Sequence, residues 1–226
     1  MAGVRRRPAI GTLAALAAAA FAVWLFLELA DDVMEGETRD FDESVLLAFR
    51  EDANPDDPLG PRWLEEMARD VTALGGTVVL TFTTIAVTGF FLLQRKWHLA
   101  IYVAAAVVTG LAACSLRKAG FDRPRPDLVD HGQVVFTASF PSGHSMLSAV
   151  AFLTLGALVA GAQTDRSMRV YILTLAAIVT VAVGVSRVYL GVHWPSDVLG
   201  GWAAGTGWAL ACWAVSQQLR KRGQIE

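Results

Sequence analysis

Long apolar runs separated by short polar stretches set the pattern of the chain, at residues 9–30, 71–93, 99–116, 146–162, 170–185 and 198–215. A helix crosses the hydrocarbon of a bilayer with about 20 apolar residues, so each run is long enough to span, the fifth only with uncertain ends. Residues 31–70 break the pattern: turn formers cluster from Asn54 to Pro61, and an amphipathic stretch lies on either side. Phe41, Val45, Leu46 and Phe49 share one helical face, and Trp63, Leu64, Met67 and Ala68 share another. Such stretches suit helices lying at the bilayer surface; short helices in a solvated loop fit the same pattern. The predicted fold is all-α, a six-span transmembrane helical bundle with short interfacial helices in the first outer loop, forming a single membrane-embedded domain over residues 1–226.

Composition agrees with the pattern, since hydrophobic residues make up 54% and charged residues 18%, against about 25% charged in soluble proteins. The first run follows Arg5, Arg6 and Arg7, as in a signal peptide, but it is longer than the expected apolar core of about 7–15 residues and no A-x-A site closes it. It reads as an uncleaved anchor. Lys and Arg then decide orientation: Arg5–Arg7, Arg95 with Lys96, Arg166 with Arg169, and Arg220–Arg222 fall on alternate sides of successive spans, which places both termini in the cytoplasm. Residues 31–70, with fourteen acidic residues against four arginines, fall outside. Arg117, Lys118, Arg123 and Arg125 break this rule by clustering on the outer side, so they need a reason other than orientation. Cys114 and Cys212 lie in apolar runs without CxxC spacing and read as packing residues. The chain carries no internal repeat, low-complexity tract or nucleic-acid signature.

Three polar clusters remain at the outer ends of the predicted spans. The first is Lys118 with Arg125 and Pro126; the second is Pro141, Ser142, Gly143 and His144; the third is Ser186, Arg187, His193 and Asp197. Pro141 suits the first turn of a helix, and the following N–H groups of Ser142, Gly143 and His144 would be free to bind an anion at the positive helix end. Pro195 marks another helix start, where the Asp197 carboxylate can reach the His193 imidazole, hold one ring nitrogen and direct the other at an electrophile. Lys118, Arg125 and Arg187 supply the cations that phosphoryl transfer requires around the equatorial oxygens. Each cluster alone has a plainer reading, as a capped helix or as headgroup anchors. Arg123, followed by Pro124, rivals Arg125 by residue type.

In order and spacing the clusters resemble the signature of the type 2 phosphatidic-acid phosphatase and vanadium haloperoxidase superfamily, in its membrane lipid phosphatase branch. The resemblance spans the six-helix core and all three motifs, within residues 117–197, and its spacing selects Arg125 over Arg123. It implies that Lys118, Arg125, Ser142, Gly143 and Arg187 hold phosphate, that His193 attacks phosphorus, that Asp197 orients His193, and that His144 protonates the leaving oxygen and later activates water. It also implies catalysis with no metal or other cofactor, and no grouped carboxylates near the motifs argue otherwise.

The expected partner is a membrane lipid, with no nucleic acid: phosphatidic acid, phosphatidylglycerol phosphate and undecaprenyl diphosphate all suit a site on the outer face of a bacterial inner membrane. A vanadate-dependent haloperoxidase would share the phosphate motifs, but six spans argue against it. A transporter would place its ionisable groups near the bilayer midplane rather than at span ends. His98 and His131 fall outside the motifs and read as surface residues.

Overall fold

In a computed structural model of the chain, residues 10–118, 121–128 and 138–221 are described. Helix α1 (Ile10–Glu35) leads through a turn into α2 (Arg39–Leu47) and a small antiparallel hairpin, β1 (Arg50–Glu51) and β2 (Asn54–Pro58), that pairs Arg50 with Pro58. Helices α3 (Arg62–Ala73), α4 (Thr77–Leu93) and α5 (Trp97–Lys118) follow. Next come α6 (Gly143–Ser148), a π-helical turn (Ala149–Leu153) and α7 (Thr154–Gly161), which together make one span, and then α8 (Arg166–Tyr189) and α9 (Pro195–Lys221).

Five of these units are long and apolar enough to cross a membrane, and α3 with α4 forms a sixth, bent by 46°. The predicted run 71–93 is therefore not one straight helix. Its first residues complete α3, and the chain turns at Leu74–Gly76 before α4 begins. Glycine is needed at the bend for contact: a Cβ on Gly75 would lie 2.5 Å from Val183 Cγ1 and 3.1 Å from the His144 carbonyl oxygen. The outward face of α4 is bare, with Val78, Phe82 and Leu93 more than two-thirds exposed, as expected of side chains that meet lipid instead of water.

Helix α9 lies at the centre, packed along α1 and α6. Its approach to α6 is close because Gly205 presents no side chain; a Cβ there would fall 2.5 Å from the Met146 carbonyl oxygen. Small residues at such crossings are the usual means of packing helices in lipid, where burial of apolar surface gives no drive. The main core joins Phe26, Ala30 and Val33 of α1 to Leu80, Cys114, Phe140, Met146, Leu147, Ala151 and Ala204. Cys114 is buried in it and Cys212 is half-buried, both as free thiols.

The segment between α1 and α4 covers one end of the bundle. Leu46 of α2 is fully buried against Val188, Trp194 and Val198, and α3 packs on α8. The predicted amphipathic helices are both present, but their inner faces rest on protein. Phe41 and Trp63 point outward.

Candidate active site

Helix α9 begins at Pro195, whose missing N–H is harmless in a first turn. Asp197, two residues further on, reaches back so that its Oδ2 accepts the Trp194 N–H at 2.9 Å, the return bond of a capping box. The same oxygen accepts from the Ser139 hydroxyl and faces His193 Nδ1 at 3.2 Å. Asp197 and His193 are both buried, with His193 only 1% exposed.

The proton position on His193 follows from its neighbours. Arg125 Nη1 donates to the Val192 carbonyl at 2.8 Å and lies 3.2 Å from His193 Nε2. A guanidinium can only donate, so Nε2 must carry the lone pair and Nδ1 the proton, given to Asp197. Burial pushes the His193 pKa down, to about 4, with Arg125 and Arg187 acting in the same direction and Asp197 opposing them. The imidazole is therefore neutral at pH 7, with its basic nitrogen turned toward Arg125. Burial likewise lowers the Arg125 pKa.

Arg187, in the last turn of α8, is 5% exposed and donates through Nη1 to Thr72 Oγ1 of α3 at 3.1 Å. Its Nε has no hydrogen-bond partner among the described residues. A buried cation with an unused donor costs several kcal/mol unless an anion completes it, on the order of the penalty for any unpaired buried charge. Arg125 and Arg187 both lower the His193 pKa by their charge, after the larger effect of burial. An oxyanion beside the imidazole would give the Arg187 Nε its missing acceptor.

The second cluster differs from expectation in one respect. The helix starts at Gly143, with Ser142 as its cap and Pro141, on a cis Phe140–Pro141 bond, lying before the cap. The Ser142 N–H is not free: it donates to the Asp197 carbonyl at 2.9 Å. Ser142 Oγ accepts from Ser145 N at 3.4 Å and from Ser145 Oγ at 3.0 Å, which leaves its own hydroxyl proton to donate. Gly143 and His144 occupy the first helical turn, both half-buried. Lys118 ends α5, and its side chain lies outside the described residues, as does His131. His98 is exposed near the start of α5.

Several residues enter the site that no motif marked. Arg123 donates from Nη1 to Asp197 Oδ1 at 2.6 Å and from Nη2 to Asp42 Oδ2 at 2.6 Å. It also reaches Ser196 Oγ and Thr38 Oγ1. The two arginines thus take different places: Arg125 faces Nε2 of the imidazole, and Arg123 stands behind the carboxylate. Asp42 was one of fourteen acids in its segment, and only its register with Val45, Leu46 and Phe49 on a buried face could have singled it out.

Two arginines beside a histidine held by a carboxylate, at the covered end of a membrane-spanning helical bundle, have the donor chemistry that suits a phosphate group. Comparison with known proteins agrees. The PAP2 superfamily profile matches residues 78–221, and the chain belongs to that superfamily. It is 33% identical over 150 residues to phosphatidylglycerophosphatase B of Bacillus subtilis, covering 63% of this chain and 70% of that one. It is 38% identical over 68 residues to an undecaprenyl-diphosphatase of Sulfolobus acidocaldarius, covering 30% and 29%. The crystal structure of the transmembrane PAP2-type phosphatidylglycerolphosphate phosphatase from Bacillus subtilis superposes with a TM-score of 0.77 at 25% identity, covering 89% of this chain and 96% of that one. The protein is an integral membrane lipid phosphatase, a hydrolase of phosphate esters.

Proposed function

We propose that the protein hydrolyses a lipid phosphate or diphosphate through a phosphohistidine formed on His193 Nε2, at the outer face of a bacterial inner membrane, with both termini in the cytoplasm. The observation that carries the reading is the buried His193, whose Nδ1 is engaged by Asp197 and whose Nε2 faces Arg125.

Phosphate enters between Arg125, Arg187, Lys118, the Ser142 hydroxyl and the N–H groups of Gly143 and His144, displacing Arg125 from Nε2. The Nε2 lone pair attacks phosphorus, the bond from phosphorus to the lipid oxygen breaks, and His144 gives its proton to that oxygen. Asp197 stabilises the positive charge that develops on the ring. His144 then takes a proton from water, the water oxygen attacks phosphorus, and the P–N bond breaks with its electrons returning to Nε2. Inorganic phosphate leaves, together with the lipid alcohol or, from a diphosphate, the lipid monophosphate.

The relatives' names favour phosphatidylglycerol phosphate and undecaprenyl diphosphate as substrates, with phosphatidic acid as a third. Purified protein in detergent, given these three lipids with chelator present throughout, should release phosphate from at least one of them. No release from any would overturn the reading. Sidedness is tested in protein whose Cys114 and Cys212 are replaced by Ala: Leu128→Cys should react with an impermeant thiol reagent on intact cells and Thr164→Cys should not. The reverse labelling would place the site on the cytoplasmic face.

A further inference from the structure

The buried network behind Asp197 extends to a residue outside the span matched by the superfamily profile. Asp42, on α2, is 1% exposed. Its Oδ1 accepts the Ser196 N–H at 2.8 Å, capping α9 from a separate helix. Its Oδ2 accepts from the Ser196 hydroxyl at 2.6 Å and from Arg123 Nη2 at 2.6 Å. Arg123 bonds both carboxylates at once. The Trp194 ring lies 5.8 Å from its guanidinium carbon, Trp194 Nε1 donates to the Pro124 carbonyl at 3.1 Å, and the Arg123 carbonyl accepts the Ser139 N–H at 2.9 Å.

Charge counting shows what the arrangement does. Asp197 and Arg123 alone would sum to zero, and a guanidinium at 2.6 Å would cancel much of the field that Asp197 exerts on His193. Asp42 shares that guanidinium, so the buried trio of Asp42, Arg123 and Asp197 carries one net negative charge. When the His193 ring gains its positive charge, the trio and the ring together become neutral. In a low-dielectric interior that difference is large.

We infer that Asp42 is a positioning residue for phosphoryl transfer: by sharing Arg123 it keeps Asp197 negative toward His193, and by capping α9 it fixes the turn that carries both. The inference rests on His193 being the nucleophile. It gives the acidic segment a part in the chemistry, since α2 brings Asp42 to the site and Leu46 anchors it there, buried against Val188, Trp194 and Val198.

The test uses the full chain in detergent with phosphatidic acid or whichever lipid the wild type cleaves. It compares Asp42→Asn, Arg123→Gln and the double variant by steady-state kinetics and by rapid-quench measurement of phosphoenzyme formation. Asp42→Asn is expected to lower kcat on the order of tenfold, the scale of one buried charge beyond the first neighbour, with KM little changed. Adding Arg123→Gln restores the single negative charge, so the double variant should be faster than Asp42→Asn. A residue that serves only as a latch would make the double variant no faster than Asp42→Asn, and that result would overturn the inference, as would wild-type kcat in Asp42→Asn. Should Asp42→Asn fail to fold, the double variant decides alone: turnover within about tenfold of wild type supports the inference and a greater loss overturns it. Turnover by His193→Ala would instead strike the reading on which the inference rests.

Discussion

The bend between α3 and α4 touches the residue assigned as acid, and Gly75→Ala tests that contact. A Cβ on Gly75 would sit 2.5 Å from Val183 Cγ1, 3.1 Å from the His144 carbonyl oxygen and 3.3 Å from His144 Cβ. Val183 is fully buried on α8, and a valine in a helix has essentially one rotamer, so it cannot swing aside. The overlap of about 1 Å must therefore be relieved by moving the bend, His144 or both. Overpacking of this kind costs about 1–3 kcal/mol of stability. A misplacement of about 1 Å at a reacting group costs on the order of 100-fold in rate. We expect the Gly75→Ala enzyme to cleave lipid phosphate about 10- to 100-fold more slowly. An aryl phosphate whose leaving oxygen needs no proton should lose much less in the first step, because His144 acts there only as an acid. The assay is leaving-group release from both substrates in the first turnover, in the same detergent, with thermal unfolding measured alongside. Lipid turnover within about twofold of wild type, or equal loss on the two substrates, would refute the link between the bend and His144.

Arg187→Lys should lose most activity despite keeping its charge, because one ammonium cannot both bond Thr72 Oγ1 and grip two phosphate oxygens; full activity by phosphate release would leave Arg187 only a structural tie between α8 and α3. The acid limb of kcat/KM should lie well below the ordinary histidine value of 6.5, toward about 4, since His193 stays neutral and nucleophilic until then; a wild-type limb near 6.5 that vanishes in no variant would contradict this. Stability should fall as pH drops over the same window. Between pH 6.5 and about 4 the unfolded chain takes up a proton that folded His193 refuses, a loss of about 3 kcal/mol. Thermal unfolding at pH 7 and pH 5 should show a drop that is smaller in His193→Gln.

The spans were legible because lipid imposes a length and a composition that few other constraints imitate, and the three clusters because each sits beside a helix boundary marked by proline or glycine. Reading failed where a partner from elsewhere in the chain decides the outcome. Ser142 looked like a free donor, but its N–H meets the Asp197 carbonyl, a contact made only when α6 and α9 pack. Run 71–93 looked continuous because hydropathy does not register that Gly75 must press against His144. Arg123 and Arg125 share a residue type and a following proline; what separates them is that one meets Asp197 and the other meets Nε2. Asp42 lay hidden among exposed acids. Its one sign was a carboxylate in helical register with Val45, Leu46 and Phe49, on a face that packing buries.

The nucleophile itself is tested most directly by trapping. Enzyme quenched within milliseconds of mixing with ³²P-labelled lipid phosphate should carry label that is stable in base and lost in acid, as a phosphohistidine is, and peptide mapping should place it on His193. His193→Ala should fold and bind phosphate yet carry no label. Base-stable label that persists in His193→Ala, or label on any other residue, would contradict the account.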